Sequence, residues 1–372
     1  MDMTSFRRSF APAVGLCAAL IMTPLVQANG NDGAVLEAYG AYKQAVASGD
    51  LQQTVEHARR TYQLALAELT EEDARLPTLA LNLGSALENL GASQPVSERQ
   101  ALYAEAHRRY KDALKQLKGS EGDHNDARLE ALIGLAKTAE KPRRAEDYYQ
   151  HAVDLSKTAP VQQATIQLWA YDQLKTHSET VRSAKQHLRA AVETLQAERP
   201  EDDSRRLEAE FRLAVLMGQQ GKRETAIAEV ERILVHYQRL DFTHPMALGA
   251  HSLLVNWYEQ NGEREQATAH CLAIGKMRPW QDDQEQIPLY RVNPEYPVNM
   301  ARRGREGYVV MDFTVDEQGF VIDPKIAESS NRSFEKVGLE ALKQWRYAPR
   351  FEEGQAVKGE SRVRLDFTIK RS

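Results

Sequence analysis

Ten histidines and two cysteines are the side chains best able to do metal or nucleophilic chemistry. Their placement supports neither. The histidines are scattered, no His/Cys/Glu set has the spacing of a metal site, and no glycine-rich loop is placed to cradle a phosphate. Cys271 falls on the apolar face of a helical pattern, where a buried, inert thiol is expected. Cys17 follows Leu16 rather than a small residue, which makes it a poor lipid-attachment site. An enzyme, a cofactor and a metal are therefore not expected. What remains is backbone chemistry near the C-terminus. There Val363, Leu365, Phe367 and Ile369 alternate with Arg362, Arg364, Asp366 and Lys370. That alternation predicts a strand with one buried face, and its charges are the usual protection of a free sheet edge.

The surrounding residues predict the elements that position this strand. Val309, Met311, Phe313 and Val315 share one face of a first strand. Asp316-Glu317-Gln318-Gly319 reads as a turn, and Phe320, Ile322 and Ile326 as a second strand over 320–327. Ser333 is expected to cap a helix whose apolar face carries Phe334, Val337, Ala341, Leu342 and Trp345, with Glu335 in its first turn. Together with a short helical segment ending at Arg303, this gives an α+β module: a three-stranded antiparallel sheet plus two helices.

Upstream, the pattern is helical from about Gly33 to Met277. A small, large, small-or-apolar triplet recurs as Ala106-Tyr110-Ala113, Ala145-Tyr149-Ala152, Ala184-Leu188-Ala191, Ala226-Val230-Ile233 and Ala267-Cys271-Ile274, every 39 to 42 residues. Thr54-Ala58-Thr61 is a weaker copy. Leu83-Gly84 and Ile133-Gly134 mark the preceding helices, and Gly49, Gly91, Gly221 and Gly262 fall where paired helices must turn. Pro77, Pro142, Pro160, Pro200 and Pro245 fall between helices. The pattern resembles the tetratricopeptide repeat (TPR), whose period is roughly 34 residues, here lengthened by a turn or two. It predicts an all-α helical solenoid over 29–278, with a concave face able to hold a peptide or protein partner. Trp169, Trp257 and Tyr258 are expected in its core.

The ends and the charge complete the organisation. Arg7 and Arg8, an apolar run from Phe10 to Val26, and Val26-Gln27-Ala28 predict a cleavable signal peptide over 1–28, hence a periplasmic protein. An uncleaved inner-membrane anchor facing the periplasm is the alternative. A net charge of −5 gives no basis for nucleic-acid binding. Residues 279–292, polar and bounded by prolines, are expected to form a short semi-stiff linker, leaving 293–372 as the terminal domain.

Pro294-x-Tyr296-Pro297, Glu306-Gly307, Val309-x-Met311-x-Phe313-x-Val315, Gly319, Ser329-Ser330, Phe334 and Trp345-Arg346-Tyr347-x-Pro349 resemble the C-terminal domain of the TonB family. The resemblance implies binding, by strand addition, of the Ton box, an extended segment of outer-membrane transporters. It also places Asn293, Glu295 and Tyr296 beside that segment, with Arg362, Val363, Arg364, Leu365, Asp366, Phe367 and Ile369 on the receiving edge. Tyr296, Gly307, Phe313, Gly319, Trp345, Tyr347 and Pro349 are expected chiefly to define the fold. The family's transducers carry a membrane helix with a histidine, whereas here no histidine precedes His57; they also carry a long Pro-rich reach that this sequence lacks. The expected role is therefore docking within a TonB-type uptake system, with the repeats recruiting a second partner. A periplasmic scaffold for envelope assembly, with no Ton-box role, is the alternative.

Overall fold

The computed structural model describes residues 33–119, 124–239, 245–278, 280–282 and 285–369. The expected signal peptide lies outside the described residues, as does Lys370. The chain divides into two compact units, 1–194 and 195–372.

Helices come in pairs: α1 (Gly33–Ser48) with α2 (Leu51–Glu68), α3 (Arg75–Ser93) with α4 (Val96–Gly119), α5 (Asn125–Lys137) with α6 (Pro142–Leu155). The chain continues through α7 (Pro160–Leu174) and α8 (Val181–Glu198), in which the division between units falls. The second unit adds α9 (Ser204–Gln219) with α10 (Arg223–Tyr237), and α11 (Pro245–Asn261) with α12 (Arg264–Met277). The five recurring triplets sit on the second helix of each pair from α4 to α12, and every member is at most 2% exposed. Asp50 and Asp203 cap α2 and α9 by accepting two backbone N–H bonds each. Pro142, Pro160 and Pro245 each open a helix, and Pro77 lies in the first turn of α3, so the prolines mark helix starts as well as gaps.

Two details of the repeats differ from expectation. Gly49, Gly221 and Gly262 turn the chain with φ between +74° and +84°. Gly91 instead lies inside α3, where a Cβ would come within 2.7 Å of the Tyr103 ring. Its smallness serves a close helix approach, not a turn. Trp257 and Tyr258 are core residues, while Trp169 is half-buried with the Lys137 ammonium 6.0 Å from its ring.

The C-terminal sheet has three strands. After α13 (Val298–Arg302), β1 (Gly307–Val315) runs down the middle, antiparallel to β2 (Val321–Ser329) and to β5 (Gly359–Phe367). Helix α14 (Arg332–Leu342) covers β1 and β2, approaching so closely that a Cβ on Gly338 would stand 2.8 Å from Val309. Asn331, not Ser333, caps α14, its side chain accepting from Ser333 N at 2.9 Å. A small hairpin, β3 (Arg350–Glu352) with β4 (Gln355–Val357), precedes β5. Val309, Met311, Phe313, Phe334, Trp345, Tyr347, Val363, Leu365 and Phe367 form the core.

The second strand does not keep the expected alternation. Val321 is the buried residue, and Phe320 precedes the strand. Pairings Asp312↔Lys325 and Thr314↔Ile322 leave one extra residue on β2, and Met311↔Ile326 with Val310↔Glu328 leave a second. Asp323 takes φ +50° at the first of these bulges. The expected linker is also shorter than 279–292. Leu289 N–H donates to Arg346 O at 2.7 Å, Arg346 N–H donates to Tyr290 O at 3.0 Å, and Trp345 Nε1 donates to Val292 O at 2.8 Å. Residues 289–292 are thus built into the module.

Candidate functional site

A sheet of three strands has two outer edges, and here they differ. Along β2, two bulges break the register with β1, and Pro324 has no N–H to give. Such an edge cannot offer a continuous ladder. Strand β5 pairs with β1 in one unbroken register from Gly359↔Val315 to Phe367↔Gly307. Among the described residues no strand pairs with its outer side. Along these nine residues of regular backbone, every second residue therefore turns its N–H and C=O outward, away from β1.

The predicted site residues divide by side-chain direction. Arg362, Arg364 and Asp366 are exposed on the outer sheet face. Val363, Leu365 and Phe367 are buried, 2 to 4% exposed, so only their backbone can meet a partner. Ile369 lies just beyond the strand, where its backbone N–H donates to Glu306 Oε1 at 2.7 Å. Tyr296 joins the two predicted segments. Its ring packs edge-on against Phe367 and Phe334 at centroid distances of 5.8 and 5.9 Å, and its hydroxyl donates to Arg305 O at 2.8 Å. Burial raises the Tyr296 pKa, with the Glu306 charge adding to the effect. Asn293 and Glu295 are exposed on the approach to it.

The charged face next to this edge is already paired. Arg362 binds Asp312 through two nitrogens, one at 2.9 Å, and this hydrogen bonding holds the Asp312 carboxyl below its ordinary pKa. The Arg364 Nε donates to Asp366 at 2.9 Å while its guanidinium lies 3.8 Å from the Tyr308 ring centroid. Asp312, Tyr308 and Glu306 were not among the expected site residues. The period-2 pattern of β1 puts Tyr308 and Asp312 on its outer face, but only the β1–β5 register identifies what they face. No group of three or more metal-ligating side chains is assembled among the described residues.

Residues 292–369 match the family profile described as Gram-negative bacterial TonB protein C-terminal. The residues that carried the resemblance, Pro294 to Pro349, fall inside that match. Protein TonB of Vibrio cholerae serotype O1 is 29% identical over 110 residues, which is 29% of this chain and 45% of that protein. The alignment thus spans less than half of the relative's length. The solution NMR structure of the Pseudomonas aeruginosa TonB CTD is 30% identical, covering 24% of this chain and 93% of that one, with a TM-score of 0.22. The crystal structure of BtubC (BKLC) from P. vanneervenii is 19% identical, covering 66% of this chain and 98% of that one, with a TM-score of 0.47.

Proposed function

We propose, from the premise that residues 292–369 form a TonB C-terminal domain, that this chain is a periplasmic docking component of a TonB-type outer-membrane uptake system. In this reading β5 receives an extended, Ton-box-like peptide as an added strand. The helical repeats recruit a second protein, and tethering both raises the effective concentration of one beside the other. Among the described residues, no helix is long and apolar enough to cross a membrane.

The observation that carries the reading is the asymmetry of the two sheet edges. An added strand needs an unbroken run of backbone partners, and β5 offers one where β2 does not. The alternating burial of β5 would then select partner side chains. One face of the added strand would lie beside Arg362, Arg364 and Asp366, the other beside the apolar edge of the core.

Amide hydrogen exchange on the full chain tests this, with and without a peptide copied from the extended N-terminal segment of a TonB-dependent transporter. The expected result is new protection across 359–367 and none along β2. Binding without protection of β5, or no binding at millimolar peptide, would reject strand addition at this edge and leave envelope scaffolding as the better reading.

A further inference from the structure

The module is seated on the last helical pair through a buried charge. Arg346 is 1% exposed, and its guanidinium forms an ion pair with Glu259 of α11, itself almost fully buried. The same guanidinium donates to Thr268 Oγ1 of α12 at 2.8 Å and to Gln318 O of the β1–β2 turn at 2.9 Å. It also lies over the Phe320 ring, 3.7 Å from the centroid. One side chain therefore touches two helices and the sheet's turn.

Apolar packing surrounds it. Val255, Cys271 and Ile274 of the helices are buried with Leu248, Leu289, Tyr290 and Ala348 around them. A Cβ on Gly275 would stand 2.6 Å from Pro349 O and 2.8 Å from the Phe351 ring, so α12 and the chain after Tyr347 approach with no space for a side chain. Burial pushes the Cys271 thiol pKa up to about 12, as a packing residue should show.

A buried ion pair adds little net stability over an apolar pair of similar volume, because both charges lose their hydration. Its energetic asymmetry lies elsewhere: any seating that separates the two charges leaves each buried and unpaired, or forces it out to water. An apolar contact alone tolerates sliding; this one does not. We propose that α11–α12 is a fixed mount for the C-terminal sheet, and that the Arg346–Glu259 pair selects its single seating. The sheet then does not swing on a linker. Its β5 edge starts at a set place, where Gly359 lies against the Trp280 indole, and points in a set direction from the last helical pair. This goes beyond the docking reading and stands whatever β5 binds.

The test uses the full chain carrying Cys17→Ser, with spin labels at Glu265→Cys on α12 and Glu340→Cys on α14, both exposed positions. Cys271 is buried and stays unlabelled. The distance distribution between labels is measured for this parent, for Glu259→Gln and for the double variant Arg346→Met/Glu259→Met. Hydrogen exchange of β1 reports in parallel whether the sheet remains folded. The expected result is one narrow distribution for the parent, and a broadened or multiple one for both variants with β1 protection retained. A broad distribution in the parent would overturn the fixed mount. A distribution that stays narrow in the double variant would overturn the selecting role of the pair. Loss of β1 protection in both variants would also overturn it, making the pair a requirement for folding the sheet.

Discussion

The helical repeats and the terminal sheet solve the packing problem in opposite ways. In the first unit, the Tyr110 ring lies between helices that can approach it only because Gly84 and Gly134 carry no side chain; a Cβ on Gly84 would stand 2.8 Å from that ring. In the sheet module the core is filled by large rings: Phe334 stacks on Phe367 at 4.5 Å, Phe313 lies 5.3 Å from Tyr347, and Tyr347 lies 6.3 Å from Trp345. The repeats are specified by atoms that are missing and the sheet by atoms that are present. Adding atoms should break the first, and removing them the second.

Trp345 gives the largest expected effect. It is 1% exposed, its indole N–H donates to Val292 O, and the Arg291 guanidinium lies 4.8 Å from the ring centroid. Trp345→Ala should cost about 3–5 kcal/mol, the range for emptying a large aromatic site in a core. Denaturant unfolding followed by β1 hydrogen exchange measures it. A loss under about 1 kcal/mol would mean that the core collapses around the gap, and that ring volume does not specify the sheet.

The converse substitution is Gly134→Ala. Its new methyl group would stand 2.3 Å from the Tyr110 ring, and the expected cost is about 1–3 kcal/mol, the range for overpacking. Tyr110→Leu in the same chain should recover part of that loss, since the two positions compete for one volume. Simple additivity of the two single losses, read from denaturation midpoints, would show that the crossing is not limited by contact between them.

These two regions were also unequally legible in the sequence. A missing side chain with a repeat period leaves a direct trace, so the triplets and the Leu-Gly and Ile-Gly pairs marked the helix crossings. The alternation of β1 and β5 was equally direct. The β2 strand was not, because the bulge at Asp323 and Pro324 changes which residues face inward, and nothing local to Phe320, Ile322 and Ile326 shows the slip. Arg346 was the deepest miss. Its partners lie on Glu259 and Thr268, 87 and 78 residues away in the chain, and a single arginine beside a tryptophan has no periodicity to read. The β5 edge was visible as a strand; that its ladder is the continuous one of the two needed the register.

The last helical pair should also give the chain a histidine-driven acid sensitivity, to which the sheet module, with no histidine in 289–369, adds nothing. His251 of α11 and His270 of α12 meet Nδ1 to Nδ1 at 2.7 Å, with Tyr258 stacked on His270 and hydrogen-bonded to Glu231 of α10. Burial holds both imidazoles neutral, with their pKa values lowered from 6.5 to about 4. The unfolded chain binds these protons at higher pH than the folded one, so stability falls as pH drops from about 6.5 to about 4 and is level for these groups below that. Unfolding midpoints against pH should show this slope, and His270→Gln should flatten it. An unchanged slope in that variant would assign the acid sensitivity to other groups.

The smallest stability change is expected at the two sheet edges, where the outcome to watch is association. Arg362 and Asp312 are both well exposed, so water already solvates their charges and screens their attraction. Arg362→Val should leave the thermal midpoint where it is. It removes, however, a charge from an edge whose backbone ladder is continuous, and such edges pair with one another when flat and apolar. Self-association by light scattering should therefore rise. Lys325→Val makes the same change on β2, where Pro324 and two bulges interrupt the ladder, and association there should not rise. Equal association of the two variants would mean that side-chain apolarity, not backbone continuity, governs both edges, and the proposal of docking at β5 would lose its physical basis.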